Sequence, residues 1–108
     1  MYPEFVETPS FTRRADEILG EEGLRALGEQ LAVNPRAGVL IRGGGGIRKV
    51  RVAVAGRGRR GGARVIYFYA DWSGIVLLLD IYRKNRRADL TPREIAGLKA
   101  VVAAEFSG

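Results

Sequence analysis

Residues 47–54, IRKVRVAV, repeat with a period of two: Val50, Val52 and Val54 fall on one side of an extended chain, Lys49 and Arg51 on the other. A helix would scatter these residues around its circumference. The stretch therefore predicts a strand with one apolar and one cationic face rather than a disordered basic tail, which would need no such phase. Alternate residues of a strand lie roughly 6.5 Å apart on one face. Lys49 and Arg51 can thus address adjacent phosphates, or one phosphate from two directions.

Two further strands are expected downstream. ARVIYFYA, 63–70, is dense in β-branched and aromatic residues, with Arg64, Ile66 and Phe68 on one side. After a turn at 71–74, residues 75–82 run almost unbroken in apolar side chains, as a strand buried on both faces would. Three consecutive strands suggest an antiparallel meander. Upstream, a short strand over 4–8 precedes a helix carrying Phe11, Ala15, Ile18 and Leu19 at helical spacing, with Ser10 the expected N-cap. Gly20 and Gly23 punctuate the chain before a second helix with Leu24, Leu27 and Leu31 on one side, ended by Asn34-Pro35. The pair is expected as a hairpin over the sheet. Thr91-Pro92-Arg93-Glu94 reads as a capping box with proline at the first helical position, opening a last helix with Ile95, Leu98, Val101 and Val102 on its apolar side. The expected order is β, α, α, β, β, β, α. A chain of 108 residues is the size of one domain.

Charge is unevenly placed. Residues 1–35 carry net −4, residues 36–64 carry nine cations and no acid, and residues 65–108 carry net +1. This is the pattern of a chain with one face aimed at a polyanion, although a solvated loop run has the same composition. The chain lacks cysteine and histidine. Disulfides, the usual zinc ligands and the Ser-His and Cys-His nucleophile pairs are therefore excluded, and no metal or other cofactor is expected. Catalysis would fall to Lys, Arg, Tyr or carboxylates. No targeting signal is expected at the start, and no apolar run approaches the ~20 residues of a membrane helix. Two motif matches fail on context. Gly56, Gly58 and Gly61 fit the letters of a dinucleotide loop, but a strand follows where a helix is required. The run 43–46 lacks the Gly-Lys-Ser/Thr ending of a Walker loop, and its glycines suit a tight bend approached closely by a partner.

NPRAGVLIRGGGGIRKVRVAVAGRGRRGGARVIYFY, followed by LLLDIYRKN and DLTPREI, resembles the RelE/ParE superfamily of bacterial type II toxins, most closely the HigB-like branch, from about Phe5 to Val102. The resemblance implies an α+β, RelE-like fold: two N-terminal helices packed on a curved antiparallel β-sheet, with a C-terminal helix. It also implies a cytoplasmic toxin that cleaves mRNA in the ribosomal A site, partnered by the ribosome, mRNA and a cognate antitoxin protein in a toxin–antitoxin hetero-oligomer, with no membrane. By position it places the family's cation pair on Lys49 and Arg51, the arginine opening the next strand on Arg64 in GARVIY, and the basic residue after the last strand on Lys84. The chain departs from the pattern in reading GRGRRGG where relatives often read GKGKRGG, in placing Arg83 before Lys84 where many have glycine, and in having no tyrosine after Tyr82.

Attack of a 2′-OH on its neighbouring phosphate builds charge on the phosphate oxygens, which preorganised cations stabilise. Arg51 and Arg64 suit this role, because a guanidinium grips two oxygens at once. Lys49 or Lys84 is the candidate for proton transfer. An amine with an ordinary pKa of ~10.4 is almost wholly charged at neutral pH, so that role calls for clustered neighbouring cations. Arg48, Arg57, Arg59, Arg60, Arg86 and Arg87 are candidate RNA grips, with a merely solubilising loop as the alternative for 57–60. Tyr67, Phe68 and Tyr69 read as packing, and Trp72 as a sheet-edge cover or a stacking platform. Two rival functions stay open: a ParE-like gyrase inhibitor, in which the cation cluster would be absent, and a basic RNA-binding module without turnover.

Overall fold

The computed structural model describes residues 2–54, 62–84 and 89–107. Eight elements follow in order: β1 (Glu4–Glu7), α1 (Pro9–Ile18), α2 (Gly20–Val33), β2 (Val39–Leu40), β3 (Ile47–Val52), β4 (Ala63–Ala70), β5 (Ile75–Arg83) and α3 (Pro92–Phe106). The strands form one five-stranded sheet in the order β1-β5-β4-β3-β2. The fold is mixed α+β, as expected.

Strand alternation divides the apolar residues between two layers. On one face Val50, Val52, Val65, Tyr67, Val76, Leu78 and Ile81 pack against Phe11, Ala15, Leu27 and Leu31 of α1 and α2. On the other, Ile47, Ile66, Phe68, Leu77, Leu79 and Tyr82 meet the half-buried Ile95, Leu98, Val102 and Phe106 of α3. Central β4 is covered on both sides, with Val65, Ile66 and Tyr67 fully buried. No residue of α3 is buried, so the second layer is much the thinner one.

Several local expectations change. Thr8, not Ser10, caps α1: its hydroxyl accepts the Phe11 N–H at 3.2 Å, because Pro9, with fixed φ and no N–H, occupies the first helical position. The same hydroxyl donates to the Leu79 carbonyl at 3.0 Å, beside the point where the β4–β5 register shifts. Gly23 does not interrupt the second helix. It lies inside α2, where a side chain would stand 3.0 Å from the Leu19 Cβ, and its lack of one permits that approach. Strand β3 ends at Val52, although Val54 remains buried. The sheet is not wholly antiparallel: β1 pairs parallel with β5, joined by Glu4 N–H to Gly74 O and Thr8 N–H to Leu78 O. Alternation encodes faces but not strand direction, so only the β3–β4 and β4–β5 pairings matched the expected meander. The two-residue β2 carried too short a pattern to read.

Candidate functional site

Because Val50 and Val52 enter the α1/α2 layer while Ile47 enters the α3 layer, Lys49 and Arg51 share the face of Ile47. Arg51 is directly opposite Arg64 on β4, and Arg64 is opposite Tyr82 on β5. Directly opposed side chains stand about 4.5–5.5 Å apart at Cβ, where like charges destabilise a sheet. Among the described residues neither arginine has a carboxylate partner. Arg51 is exposed and Arg64 half-buried. Two adjacent guanidiniums without a counter-charge have the donors to grip an anion with several oxygens.

Lys49 lies one turn of the alternation away and differs in its company. Its Nζ is 3.4 Å from Asp89 Oδ1. That carboxylate also accepts the Leu90 N–H at 2.9 Å. The Leu90 amide above all holds the Asp89 carboxyl below its ordinary range; burial opposes it, and the charge and hydrogen bond of Lys49 add to the lowering. The neighbour of this amine is thus an acid, the reverse of the clustered cations that proton transfer by lysine calls for. Asp80, in the same cross-strand row as Lys49 and Ile66, is neutralised from α1 by Arg14 at 2.7 Å.

Lys84 is exposed just past β5, and its backbone N–H donates to Gly62 O at 3.1 Å, which fastens the ends of β4 and β5 together. Arg48 falls on the opposite phase of β3 and is engaged in structure: it donates to Gly38 O at 2.7 Å and Arg36 O at 3.3 Å. Gly38 N–H in turn donates to the Tyr67 hydroxyl at 2.9 Å, and that hydroxyl donates to Pro35 O at 2.8 Å. Burial raises the Tyr67 phenol above its ordinary range, more than the Gly38 N–H and the Arg48 charge lower it. The structure therefore brings Lys49, Arg51 and Arg64 to one face and leaves Arg48 off it. Arg57, Arg59, Arg60, Arg86 and Arg87 lie outside the described residues.

Sequence reasoning missed Asp89, although it is the only acid between Asp80 and Glu94 and opens the segment leading to the capping box. Of the two readings of Trp72, cover is nearer its contacts than stacking platform. Trp72 is exposed, yet its ring stands 5.5 Å from Phe106 and 5.9 Å from Phe68, edge-on to both, closing the C-terminal end of α3 over the sheet. Tyr69 packs under the guanidinium of Arg36, 5.1 Å from its ring centre.

The structure defines a small α+β protein with two arginines opposed across one sheet face and no carboxylate set against either among the described residues. Comparison with known proteins is more specific: the family described as RelE toxin of RelE / RelB toxin-antitoxin system matches residues 30–107, and the chain belongs to that family. Among solved structures, a free double arginine-to-alanine mutant of the E. coli toxin RelE shares the fold, with a TM-score of 0.63 at 17% identity over 94% of this chain and 98% of the other. The protein is thus a toxin of the toxin–antitoxin type, and the family implies an antitoxin as its partner. None of the described helices is long and apolar enough to cross a membrane.

Proposed function

We propose that this chain, acting as one domain over residues 1–108 in the cytoplasm, is a HigB-like endoribonuclease that cleaves mRNA on the ribosome without a metal ion. The opposition of Arg51 and Arg64 carries the reading: a like-charge pair, of a kind that weakens a sheet, is kept with Arg51 exposed and Arg64 half-buried, as expected where a phosphate is to be gripped. In the proposed reaction the 2′-oxygen forms a bond to phosphorus, the bond to the 5′-oxygen breaks, and a 2′,3′-cyclic phosphate and a 5′-hydroxyl result. Arg51 and Arg64 hold the non-bridging oxygens as their charge grows. Lys49, held by Asp89, adds positive charge beside them. Lys84, which has no carboxylate partner among the described residues, is the better candidate to move a proton. Alignment of the 2′-OH by the ribosome supplies much of the remaining barrier reduction. Arg57, Arg59, Arg60, Arg86 and Arg87 are assigned to ribosomal RNA phosphates. Arg48 has no part in this proposal, since its guanidinium is taken by two carbonyls.

One observation favours a second reading, RNA binding without turnover: the Lys49 amine faces a carboxylate. Primer extension on a defined message in a purified translation system separates the two. The nuclease reading requires cuts that appear only with ribosomes and disappear in Arg51→Ala and Arg64→Ala. An intact message at saturating protein would defeat it and leave binding alone, or gyrase inhibition, as the account.

A further inference from the structure

The four glycines at 43–46 have no part in the cleavage scheme, yet the structure gives them a defined shape. Gly43, Gly45 and Gly46 have φ of 75°, 65° and 107°, while Gly44 between them is not in the positive region. The bend is closed by Gly44 N–H to Ile41 O at 2.9 Å and Ile47 N–H to Gly44 O at 3.4 Å. The N–H groups of Gly43, Gly45 and Gly46 donate to nothing among the described residues, and all three residues are exposed. The sign of φ changes on either side of Gly44, and backbone that changes hand in this way is able to present free N–H groups to an anion.

Two cations from separate elements stand at this bend. Lys99 of α3 brings its Cε to 3.5 Å from where a Cβ on Gly45 would stand, and Arg42 immediately precedes the run. Neither has a carboxylate partner among the described residues. The bend also leads directly into β3, whose residues Ile47 to Arg51 span roughly 13 Å. The bend and the Arg51–Arg64 pair therefore stand at opposite ends of β3.

We propose that the 43–46 bend and Lys99 form a second phosphate subsite, which holds the ribose-phosphate backbone of RNA apart from the bond being cut. The inference rests on the reading of the sheet face as an RNA site and adds where the strand is gripped beyond it. Lys99 is a binding residue in this account and takes no part in chemistry. Its contribution is independent of base sequence, because only backbone oxygens are addressed.

The test is an NMR titration of the 15N-labelled full chain with a 2′-O-methyl heptanucleotide, which cannot be cleaved, together with affinity measured over a range of salt. The expected result is saturable movement of the Gly43, Gly45 and Gly46 amide signals. Lys99→Ala should weaken binding several-fold and shrink the logarithmic salt slope by about 0.7, one single-strand phosphate contact, with Lys99→Arg restoring it. Gly45→Ala, strained at its positive φ, should weaken binding with Lys99 intact. Glycine amides that stay still at saturating or highest attainable RNA, or an unchanged slope in Lys99→Ala, overturn the subsite. Primer extension judges the nuclease separately, so an active enzyme with unmoved glycine amides loses only the subsite. Messages truncated short of the bend identify the source: the Lys99→Ala defect in cleavage vanishes on them if the subsite holds the message and persists if it holds ribosomal RNA.

Discussion

Arg51 and Arg64 face each other across the β3–β4 ladder with no acid set against either among the described residues. In the proposed reaction such a pair costs stability in the free protein and gains when the phosphate arrives. Replacing either with alanine should therefore lower cleavage about 10²-fold or more while leaving folding stability unchanged, or higher by a few tenths of a kcal/mol. Single-turnover cleavage beside a denaturant melt checks both halves. A variant that loses activity and stability together would mark the pair as structural.

Asp89 holds Lys49 from an exposed position. Asp89→Asn should free the amine and tighten binding of single-stranded RNA several-fold at low salt, an effect that fades as salt rises. The pH dependence has a definite sign. A carboxyl whose folded pKa is depressed, first by the Leu90 amide and then by Lys49, contributes stability above its ordinary value of 3.8 and loses it as pH falls through the folded value. Acid denaturation curves of wild type and Asp89→Asn should converge below that range.

Tyr67 links the core to the chain entering β2 by donating to Pro35 O and accepting from Gly38 N–H. Tyr67→Phe orphans both groups and should cost about 1–3 kcal/mol. Since burial raises the phenol, its stabilising effect is present below the ordinary 10.0 and is lost as pH climbs toward the folded value. Denaturant midpoints measured on either side of 10.0 should fall with rising pH in wild type and less in Tyr67→Phe.

The two helical layers should differ in resistance to opening. Leu31 of α2 is fully buried, so Leu31→Ala should cost about 2–5 kcal/mol. Helix α3 buries no residue completely, so Leu98→Ala should cost less, and the amides of α3 should exchange with deuterium faster than those of α2. Equal protection of α2 and α3 would contradict this ordering.

Much of this was legible in the chain because local chemistry and global position agreed. The phase of Val50 and Val52 against Lys49 and Arg51 placed the cations on one face before any pairing was known. Thr91-Pro92-Arg93-Glu94 formed the capping box its spacing announced, with Thr91 and Glu94 exchanging bonds of 3.1 and 2.8 Å. What stayed hidden depended on contacts distant in sequence. Arg48 resembles its neighbours in composition, and only the carbonyls of Arg36 and Gly38 show where it is engaged. The approach of Asp89 to Lys49 joins residues 40 apart. No periodicity encodes such a meeting. The parallel β1–β5 pairing was hidden for the same reason.

That pairing sets the order in which the toxin can be completed. Glu4 to Glu7 find their partners at Ile75 to Leu78, so β1 is made well before the strand that gives its edge of the sheet a neighbour. Contacts this far apart in sequence close late and slowly. As the chain leaves a ribosome β1 remains unpaired until β5 emerges, and α1 and α2 behind it lack the full surface on which they settle. The finished sheet edge thus arrives only after β5 has left the ribosome, the machine that the proposed activity would halt.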